Sequence, residues 1–308
     1  MGYNYSNVFK KMSGHIVWLA SYPKSGNTLL RSILTALYFT EDGLFNLDQL
    51  KKIGQFDSVG RIKKYFEVFK INNKNEITNK KIFENLSLLQ SREYLDLTNK
   101  ELVFLKTHSG LFNVFDFPFT TEKATKAIIY LIRDPRDVCV SWSKHSGKTI
   151  DESMNFMLND FQGLGWNDID NYFTDEKRPM SYLSSWDRHV MSWNVADWKV
   201  PRLAIKYEDL VYDKENIIRN LISFFKINFD INVENEDEKI QNVLETTKFE
   251  RLKNEEKKKG FAEATEYSDF FNTGKKNQWK KILSLENIKK LEKKFSYVMK
   301  KYDYEVSN

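Results

Sequence analysis

Four short apolar runs are the clearest pattern along the chain. They span residues 15–20, 102–105, 127–132 and 203–205. Their apolar positions are continuous rather than alternating, as is typical of strands that are buried on both faces of a parallel sheet. Enough chain separates each run from the next for a crossover helix. The pattern therefore predicts the α/β class, with a central, mainly parallel sheet that is flanked by helices.

Helical periodicity marks the segments between and after these runs. The predicted helices cover residues 29–37, 135–144, 182–195, 217–225 and 285–300. No repeat of fixed period and no linker rich in Gly, Ser or Pro divides the chain. One domain over residues 1–308 is therefore expected, in which the Lys- and Asn-rich residues 51–100 form an irregular helical insertion.

Composition narrows the class of protein. The chain has 41% hydrophobic and 30% charged residues, which is the profile of a folded globular protein. Its net charge of +5 suits an anionic ligand but is too small for a dedicated nucleic-acid binder. Cys139 is the sole cysteine, which excludes an intrachain disulfide and a Cys-based zinc site. Since His and carboxylate residues are also not clustered at ligand spacing, no metal is predicted.

The N-terminal residues lack the layout of a signal peptide. No apolar run approaches the roughly 20 residues of a membrane span. We therefore expect a cytoplasmic protein without a membrane or nucleic-acid partner. The sequence leaves the oligomeric state open, and a homodimer is one option.

The loop after the first predicted strand has the features of an anion site. Residues 21–28, SYPKSGNT, join that strand to an amphipathic helix. Gly26 permits close approach of the backbone, and the N–H groups and partial charge of the helix N-terminus favour an anion. Lys24 adds a full charge, while Ser25 and Thr28 add hydroxyl donors. The lysine precedes the glycine and the Walker A spacing is absent, so a Mg²⁺-bound nucleoside triphosphate is not implied.

Further segments carry a resemblance to a known family. Residues 21–28 resemble the loop with which the PAPS-dependent sulfotransferases grip the 5′-phosphosulfate end of their donor. Residues 106–108 (KTH) resemble the family's Lys-Thr-His element. The run RDPRDV at 133–138, followed by Ser141, resembles its 3′-phosphate motif. Residues 207–210 (YEDL) are similar to its Tyr-Glu-Asp element.

Two C-terminal segments extend the resemblance. Residues 247–249 (TKF) resemble the segment whose aromatic flanks the adenine, and residues 270–280 resemble the loop that closes over the donor. The resemblance implies a phosphate-loop architecture, PAPS as donor and PAP as product. The residues implied to contact the donor are Lys24, Ser25, Gly26, Asn27, Thr28, Leu29, Arg133, Ser141, Tyr207, Thr247, Lys248, Phe249, Asn272, Thr273, Gly274 and Lys275.

The closing loop departs from the family pattern. Asn272 and Thr273 stand where the family usually has Arg and Lys, and Asn277 replaces a glycine. We hypothesise that Lys275 and its neighbour Lys276 supply the missing charge.

The adenine contacts differ as well. Leu29 stands where many members carry an adenine-stacking Trp, so stacking is expected to fall more heavily on Phe249.

Sulfuryl transfer needs an in-line nucleophile and a stabilised leaving group. A general base must remove the proton of an acceptor hydroxyl, and His108 is the candidate. Lys106 lies two residues earlier at a strand end, so both side chains are expected to project to the same face, where Lys106 neutralises the sulfuryl oxygens. Lys24 would stabilise the bridging oxygen of the leaving group. The resemblance implies that Ser141 holds the donor and restrains Lys24.

Other notable residues have structural interpretations. Asp134 is expected to cap the helix that Pro135 begins. We expect His15 and His189 to pack in the interior. For His145 we favour a helix C-terminal cap over a place in the acceptor site.

Two other functions stay open at this point. The same architecture serves ATP-dependent kinases, and a non-catalytic nucleotide-binding protein would keep the fold without the chemistry. If the chain is a sulfotransferase, its acceptor is expected to be a small molecule with a hydroxyl or amine group. Residues 51–100 and 144–179 are the candidates for the acceptor wall.

Overall fold

The computed structural model describes residues 14–58, 60–61, 79–97, 102–165, 181–195 and 197–307. Its strands are, in chain order, β1 (Ile16–Ser21), β2 (Val103–Thr107), β3 (Asn113–Val114), β4 (Phe117–Pro118), β5 (Thr125–Ile132), β6 (Gly163–Leu164), β7 (Ser181–Tyr182) and β8 (Arg202–Lys206). Strands β1, β2, β5 and β8 form one parallel sheet in the order β2-β1-β5-β8. The remaining strands form two short antiparallel pairs, β3-β4 and β6-β7. The predicted α/β class with a parallel sheet is confirmed.

Helices connect and cover these strands. They are α1 (Asn27–Phe39), α2 (Asn79–Glu84), α3 (Leu86–Leu89), α4 (Pro135–Ser146), α5 (Ile150–Leu158), α6 (Trp186–Ser192), α7 (Tyr207–Tyr212), α8 (Lys214–Phe229), α9 (Glu236–Thr246), α10 (Phe249–Lys259), α11 (Trp279–Ile282) and α12 (Leu285–Lys301). A 3₁₀ helix covers Leu47–Lys52. Within the described ranges, no helix is long and apolar enough to cross a membrane.

Burial on both faces of the sheet explains why its strands have continuous apolar runs. In β1, Trp18 and Ala20 pack on one face with apolar residues of α4, α5, α6 and α12. Val17 and Leu19 pack on the opposite face with residues of α1, α8 and α9. Because successive side chains of a strand point to opposite faces, two apolar layers require an apolar residue at every position.

Helix α4 begins where the sequence predicts. Asp134 is its N-cap, with Oδ1 accepting a hydrogen bond of 2.9 Å from the Arg136 backbone N–H, and Pro135 is its first residue. The Arg136 guanidinium pairs with Asp134 and with Glu292 of α12 at 2.7 and 2.6 Å, and lies 3.8 Å from the ring centre of Trp279. These buried contacts fix α4 against the C-terminal part of the chain.

The helix predicted over 182–195 is shorter in the structure. Tyr182 pairs with Gly163 in the β6-β7 ladder, and α6 covers only Trp186–Ser192. The backbone of Ser184 has a φ of 61° and that of Ser185 is extended, so the chain cannot enter a helix before Trp186.

The insertion predicted over residues 51–100 is described only in part. The 3₁₀ helix ends within it, α2 and α3 follow, and Gln55 forms a β-bridge with Lys106. Residues 59, 62–78 and 98–100, which belong to this prediction, lie outside the described residues, as do 166–179 of the predicted acceptor wall.

Candidate active site

A cavity of about 650 Å³ lies at the carboxyl ends of the parallel strands. Lys24 follows β1, His108 follows β2, Arg133 follows β5 and Tyr207 follows β8, and all four line this cavity. Ligands of open α/β sheets bind at this edge, because the loops of neighbouring strands converge there.

The loop between β1 and α1 is held in a conformation that needs glycine. Gly26 has a φ of 97°, and a Cβ placed on it would lie 2.4 Å from the Tyr207 ring. Arg133 donates a hydrogen bond of 2.9 Å from Nη1 to the Lys24 carbonyl, and its guanidinium lies 4.3 Å from the centre of the Tyr207 ring. Tyr207 and Arg133 therefore support the loop at the same time as they line the cavity.

Lys24 is a half-buried lysine with a lowered pKa. Burial lowers its pKa to about 7, and the charges of Lys106 and Arg133 act in the same direction, against the opposing effects of Glu263 and Glu256. Its Nζ also lies 4.0 Å from the centre of the Phe270 ring. An anion in the cavity would favour the charged form of this lysine.

His108 is held in one tautomer. Its Nδ1 lies 2.8 Å from the Ser21 carbonyl oxygen, which can only accept, so Nδ1 carries the proton and Nε2 keeps a lone pair. Burial, together with the charge of Lys106, lowers the pKa of His108 well below its ordinary value. The His108 ring is therefore neutral near pH 7. Lys106 and His108 line the same cavity, which is the arrangement that their spacing of two residues predicts.

Asp57 holds the turn that carries His108. Its Oδ2 accepts hydrogen bonds from the hydroxyls of Thr107, Ser109 and Ser181 at 2.9, 3.0 and 2.5 Å. It also lies 3.3 and 3.1 Å from the backbone nitrogens of His108 and Ser109. Sequence reasoning did not identify Asp57, because nothing local marks a carboxylate that acts 51 positions away.

His189 is interior, as predicted, but it also contacts the candidate site. Its Nε2 lies 2.9 Å from the His108 carbonyl oxygen and its Nδ1 lies 2.8 Å from the Tyr130 hydroxyl. Since the carbonyl only accepts, Nε2 donates and Nδ1 accepts from the tyrosine. Burial lowers the pKa of His189 to about 4, which keeps this arrangement neutral.

Glu263 is the second residue that sequence reasoning missed. Its Oε2 accepts hydrogen bonds from Thr28 Oγ1 at 2.9 Å and from Lys106 Nζ at 3.2 Å, and its Oε1 pairs with Arg31 Nη1 at 2.5 Å. Burial alone would raise the pKa of Glu263, but Lys106 and Arg31 hold it well below its usual range. The carboxylate is therefore charged within the predicted anion site.

Most residues predicted for catalysis or implied to contact the donor are brought together. Those that line the cavity are Lys24, Gly26, Asn27, Thr28, Leu29, Lys106, His108, Arg133, Ser141, Tyr207, Lys248, Phe249, Asn272, Thr273 and Gly274. Three do not line it. Ser25 is buried, Thr247 donates its hydroxyl to the Val243 carbonyl, and Lys275 is exposed. Asn27 turns its amide inward, where it donates to the Leu19 carbonyl.

The closing loop is anchored by two carboxylates. Asp137 of α4 accepts from the backbone N–H groups of Asn277 and Trp279 at 2.7 and 3.1 Å. Glu256 of α10 accepts from those of Phe270 and Phe271 at 2.6 and 2.9 Å. These four hydrogen bonds hold the loop along the cavity, although Asn272 and Thr273 stand where the family usually has Arg and Lys.

Backbone conformation explains the substituted glycine of this loop. Asn277 has a φ of 60°, a left-handed conformation that asparagine tolerates better than most residues. Gly274 has a φ of 61°, and a Cβ there would lie 2.5 Å from the Phe249 ring.

The hypothesis that Lys275 and Lys276 supply the missing charge is not supported. Lys275 does not line the cavity, and the Lys276 Nζ lies 4.6 Å from the Tyr212 ring centre instead. Lys214 lines the cavity, and its Nζ donates to the Thr247 carbonyl at 2.8 Å. Burial and the neighbouring Lys248 lower the pKa of Lys214 to about 8.

His145 lies in the cavity wall, against our preferred interpretation. Gly147, with a φ of 67°, is the C-cap of α4, whereas His145 lines the cavity with Trp142 and Leu164. Burial, with the charges of Lys24 and Lys106, lowers the pKa of His145 to about 4. The helix carries His145 one turn beyond Ser141, so both residues face the cavity.

No metal centre accompanies this cavity among the residues that the structure describes. There, no three His, Cys, Asp or Glu side chains are placed to hold an ion. The charged residues that line the cavity are instead lysines, Arg133, Glu263 and Asp269. The fold and site together define an α/β protein with a phosphate-loop architecture, in which lysines and Arg133 line a cavity at the carboxyl ends of the strands.

Comparison with known proteins identifies the family. The sulfotransferase domain model matches residues 15–303. The chain is 24% identical over 285 residues to flavonol 3-sulfotransferase of Flaveria bidentis, covering 90% of this chain and 79% of that protein. It is 31% identical over 156 residues to luciferin sulfotransferase of Photinus pyralis, covering 49% of this chain and 35% of that one.

A solved structure shares the fold. Retinol dehydratase in complex with androsterone and the inactive cofactor PAP matches with a TM-score of 0.58 at 19% identity, over 95% of this chain and 82% of that one. The chain belongs to the sulfotransferase family, and the prediction of a PAPS-dependent transferase is confirmed at the level of the family.

Proposed function

We propose that this protein transfers the sulfuryl group of PAPS to a hydroxyl or amine of a small acceptor, with His108 as general base. The observation that carries the proposal is the placement of the His108 ring, whose Nδ1 is bound to the Ser21 carbonyl while Nε2 has no hydrogen-bond partner among the described residues. This ring shares one cavity with Lys106 and with the loop that bears Lys24.

The residues of the cavity fit the donor. Gly26 lets the loop backbone approach a phosphate, and Lys24, Thr28 and Lys106 would hold the 5′ end. Arg133 and Ser141 would hold the 3′-phosphate, and the Arg133 Nε is buried without a partner among the described residues. An arginine with a free N–H suits a phosphate, to which it bonds in bidentate fashion.

The adenine would contact Leu29 and Phe249 in the same cavity. Tyr207 would support the loop beneath the phosphates, through its packing on Gly26. When bound, PAPS supplies an activated sulfuryl group with a nucleotide leaving group. We propose no metal in this reaction, because lysine charges take the role that Mg²⁺ has in phosphoryl transfer.

The chain's own groups would carry the proton and the charge. His108 Nε2 accepts the proton of the acceptor hydroxyl, and its low pKa keeps it ready to do so at neutral pH. Lys106 neutralises negative charge beside His108, and Lys24 stabilises the oxygen of the leaving group. His108 donates hydrogen bonds to the Ser21 carbonyl and to the Asp57 carboxylate and accepts one from His189, and these contacts fix its position.

The acceptor is proposed to have a flat apolar body. Trp142 and Leu164 line the cavity, and the Trp142 ring stacks on Phe156 with centroids 4.6 Å apart. Among similar proteins, two sulfotransferases are named for a flavonol and for luciferin, and solved structures of retinol dehydratase hold androsterone or retinol. Location in the cytoplasm and a homodimer stay predictions.

Labelled PAPS with a panel of small alcohols, phenols and amines tests the proposal. Transfer of the label to an acceptor is expected, with release of an equal amount of PAP. If ATP with Mg²⁺ gave a phosphorylated acceptor and PAPS gave no product, the protein would be a kinase. Tight PAP binding without any transfer across the panel would favour a non-catalytic nucleotide-binding protein.

A further inference from the structure

Glu263 lies where three donors converge. Thr28 Oγ1, Lys106 Nζ and Arg31 Nη1 all contact its carboxylate, at 2.9, 3.2 and 2.5 Å. Thr28 and Arg31 lie on α1, one helical turn apart, and Lys106 lies at the end of β2. The three donors therefore come from rigid elements, whereas Glu263 lies between α10 and α11, outside any helix or strand.

Hydrogen bonds to backbone carbonyls hold the Arg31 guanidinium beside Glu263. Its Nε donates to the Ile53 carbonyl at 3.0 Å, and its Nη2 donates to the carbonyls of Leu50 and Ile53 at 3.2 and 2.7 Å. These bonds leave Nη1 directed at Glu263. Arg31 is 5% exposed and does not line the cavity, whereas its partner Glu263 does.

Two buried cations require an anion beside them. Lys106 is 4% exposed, and burial together with Arg31 lowers its pKa while Glu263 raises it. An unpaired charge at this depth is strongly destabilising. The anion beside Arg31 and Lys106 can therefore be exchanged for another, but it cannot simply be removed.

We propose that Arg31, Thr28 and Lys106 form the subsite for the transferred sulfuryl group, and that Glu263 occupies this subsite until the donor replaces it. The inference rests on the proposed function, which supplies the donor. Two oxygens of a carboxylate and three of a sulfuryl group accept the same kind of hydrogen bond from the same cations. Arg31 thereby becomes a binding residue for the donor.

Replacement of Glu263 by the donor would also affect His145 in the cavity wall. Thr265, two residues after Glu263, donates its hydroxyl to the His145 carbonyl at 2.7 Å. Displacement of Glu263 pulls on this contact, because only Ala264 separates the two residues. Donor binding would in this way alter the wall at which the acceptor binds.

The test compares the isosteric variant Glu263→Gln with the control Glu266→Gln. Glu266 is exposed, lies three residues further along the same segment and does not line the cavity. Calorimetry measures the Kd of PAPS, and of PAP, which lacks the sulfuryl group. The Glu263 carboxylate competes with the sulfuryl group for charge-assisted hydrogen bonds, and a neutral glutamine competes less well. Glu263→Gln is therefore expected to tighten PAPS binding about 10- to 100-fold, with a much smaller change for PAP. Glu266→Gln is expected to match the wild-type protein for both ligands.

Thermal unfolding gives a second readout. Glu263→Gln should lower the Tm of the ligand-free protein, since Arg31 and Lys106 lose their partner, and PAPS should restore it more fully than PAP. If this variant does not fold, hydrogen exchange of residues 261–266 in the wild-type protein is measured, and PAPS should speed it relative to PAP.

Unchanged or weaker PAPS binding by Glu263→Gln, or equal exchange with both ligands, would overturn the inference and make Glu263 a structural partner of Arg31. The proposed function fails separately, if the wild-type protein binds neither ligand.

Discussion

The lowered pKa of Lys24 predicts that PAP binding weakens as pH rises. An anion binds best to the charged lysine, and the pKa of Lys24 in the ligand-free protein is about 7. At pH 6 about ten in eleven molecules carry this charge, and at pH 8 about one in eleven do. If the complex requires charged Lys24, its Kd for PAP therefore rises about tenfold over this interval.

The sign follows from linkage. Bound PAP raises the pKa of Lys24 towards its ordinary value, so the complex binds more protons than the free protein above pH 7. Lys24→Arg is the matched variant, because arginine stays charged throughout this range. It also corrects for protonation of the ligand's own phosphates, whose second pKa is near 6.

Calorimetry from pH 6 to 8, in buffers of different ionisation enthalpy, measures both the Kd and the proton uptake. We expect the ratio of the wild-type Kd to that of Lys24→Arg to rise about tenfold, with proton uptake above pH 7 only in the wild-type protein. Parallel pH profiles for the two proteins, without proton uptake, would refute the reasoning.

Three further predictions concern catalysis, binding and stability. His108→Gln should reduce sulfuryl transfer about 10²- to 10⁴-fold and leave the Kd of PAP within about twofold; unaltered turnover removes His108 from the mechanism. Arg133→Met should weaken PAP binding about 10- to 100-fold, and AMP, which lacks the 3′-phosphate, less; equal losses would place Arg133 elsewhere. Arg136→Met leaves buried Asp134 and Glu292 without their cation and should lower the free energy of unfolding in urea by about 3–5 kcal/mol, whereas an unchanged midpoint would contradict this.

Local sequence signals account for the sheet and for much of the site. Strand β1, the loop around Gly26 and helix α1 follow one another directly. The apolar run predicts the strand, the glycine predicts the loop, and the helical spacing predicts the helix. The start of helix α4 is also predictable from the sequence, because its N-cap Asp134 directly precedes Pro135. Both motifs begin directly after a strand of the parallel sheet, which places them at one edge of the sheet.

Contacts across long stretches of sequence were not predictable from such signals. Glu263 reaches Thr28 and Lys106 across 235 and 157 positions, and nothing near Glu263 in the sequence marks it as part of an anion site. His189 contacts the His108 carbonyl across 81 positions. The helix predicted from residue 182 fails for a similar reason, since Tyr182 pairs with a strand that precedes it by 19 residues.

We propose that this protein transfers a sulfuryl group from PAPS to a small acceptor, with His108 as the general base. The most direct measurement follows the label of PAPS into acceptors with the wild-type protein and with His108→Gln, at equal saturation of the two proteins with PAPS. The account predicts a labelled acceptor and equimolar PAP with the wild-type protein, and almost none with the variant. Equal transfer by the two proteins, or no transfer by either although both bind PAPS, would contradict it.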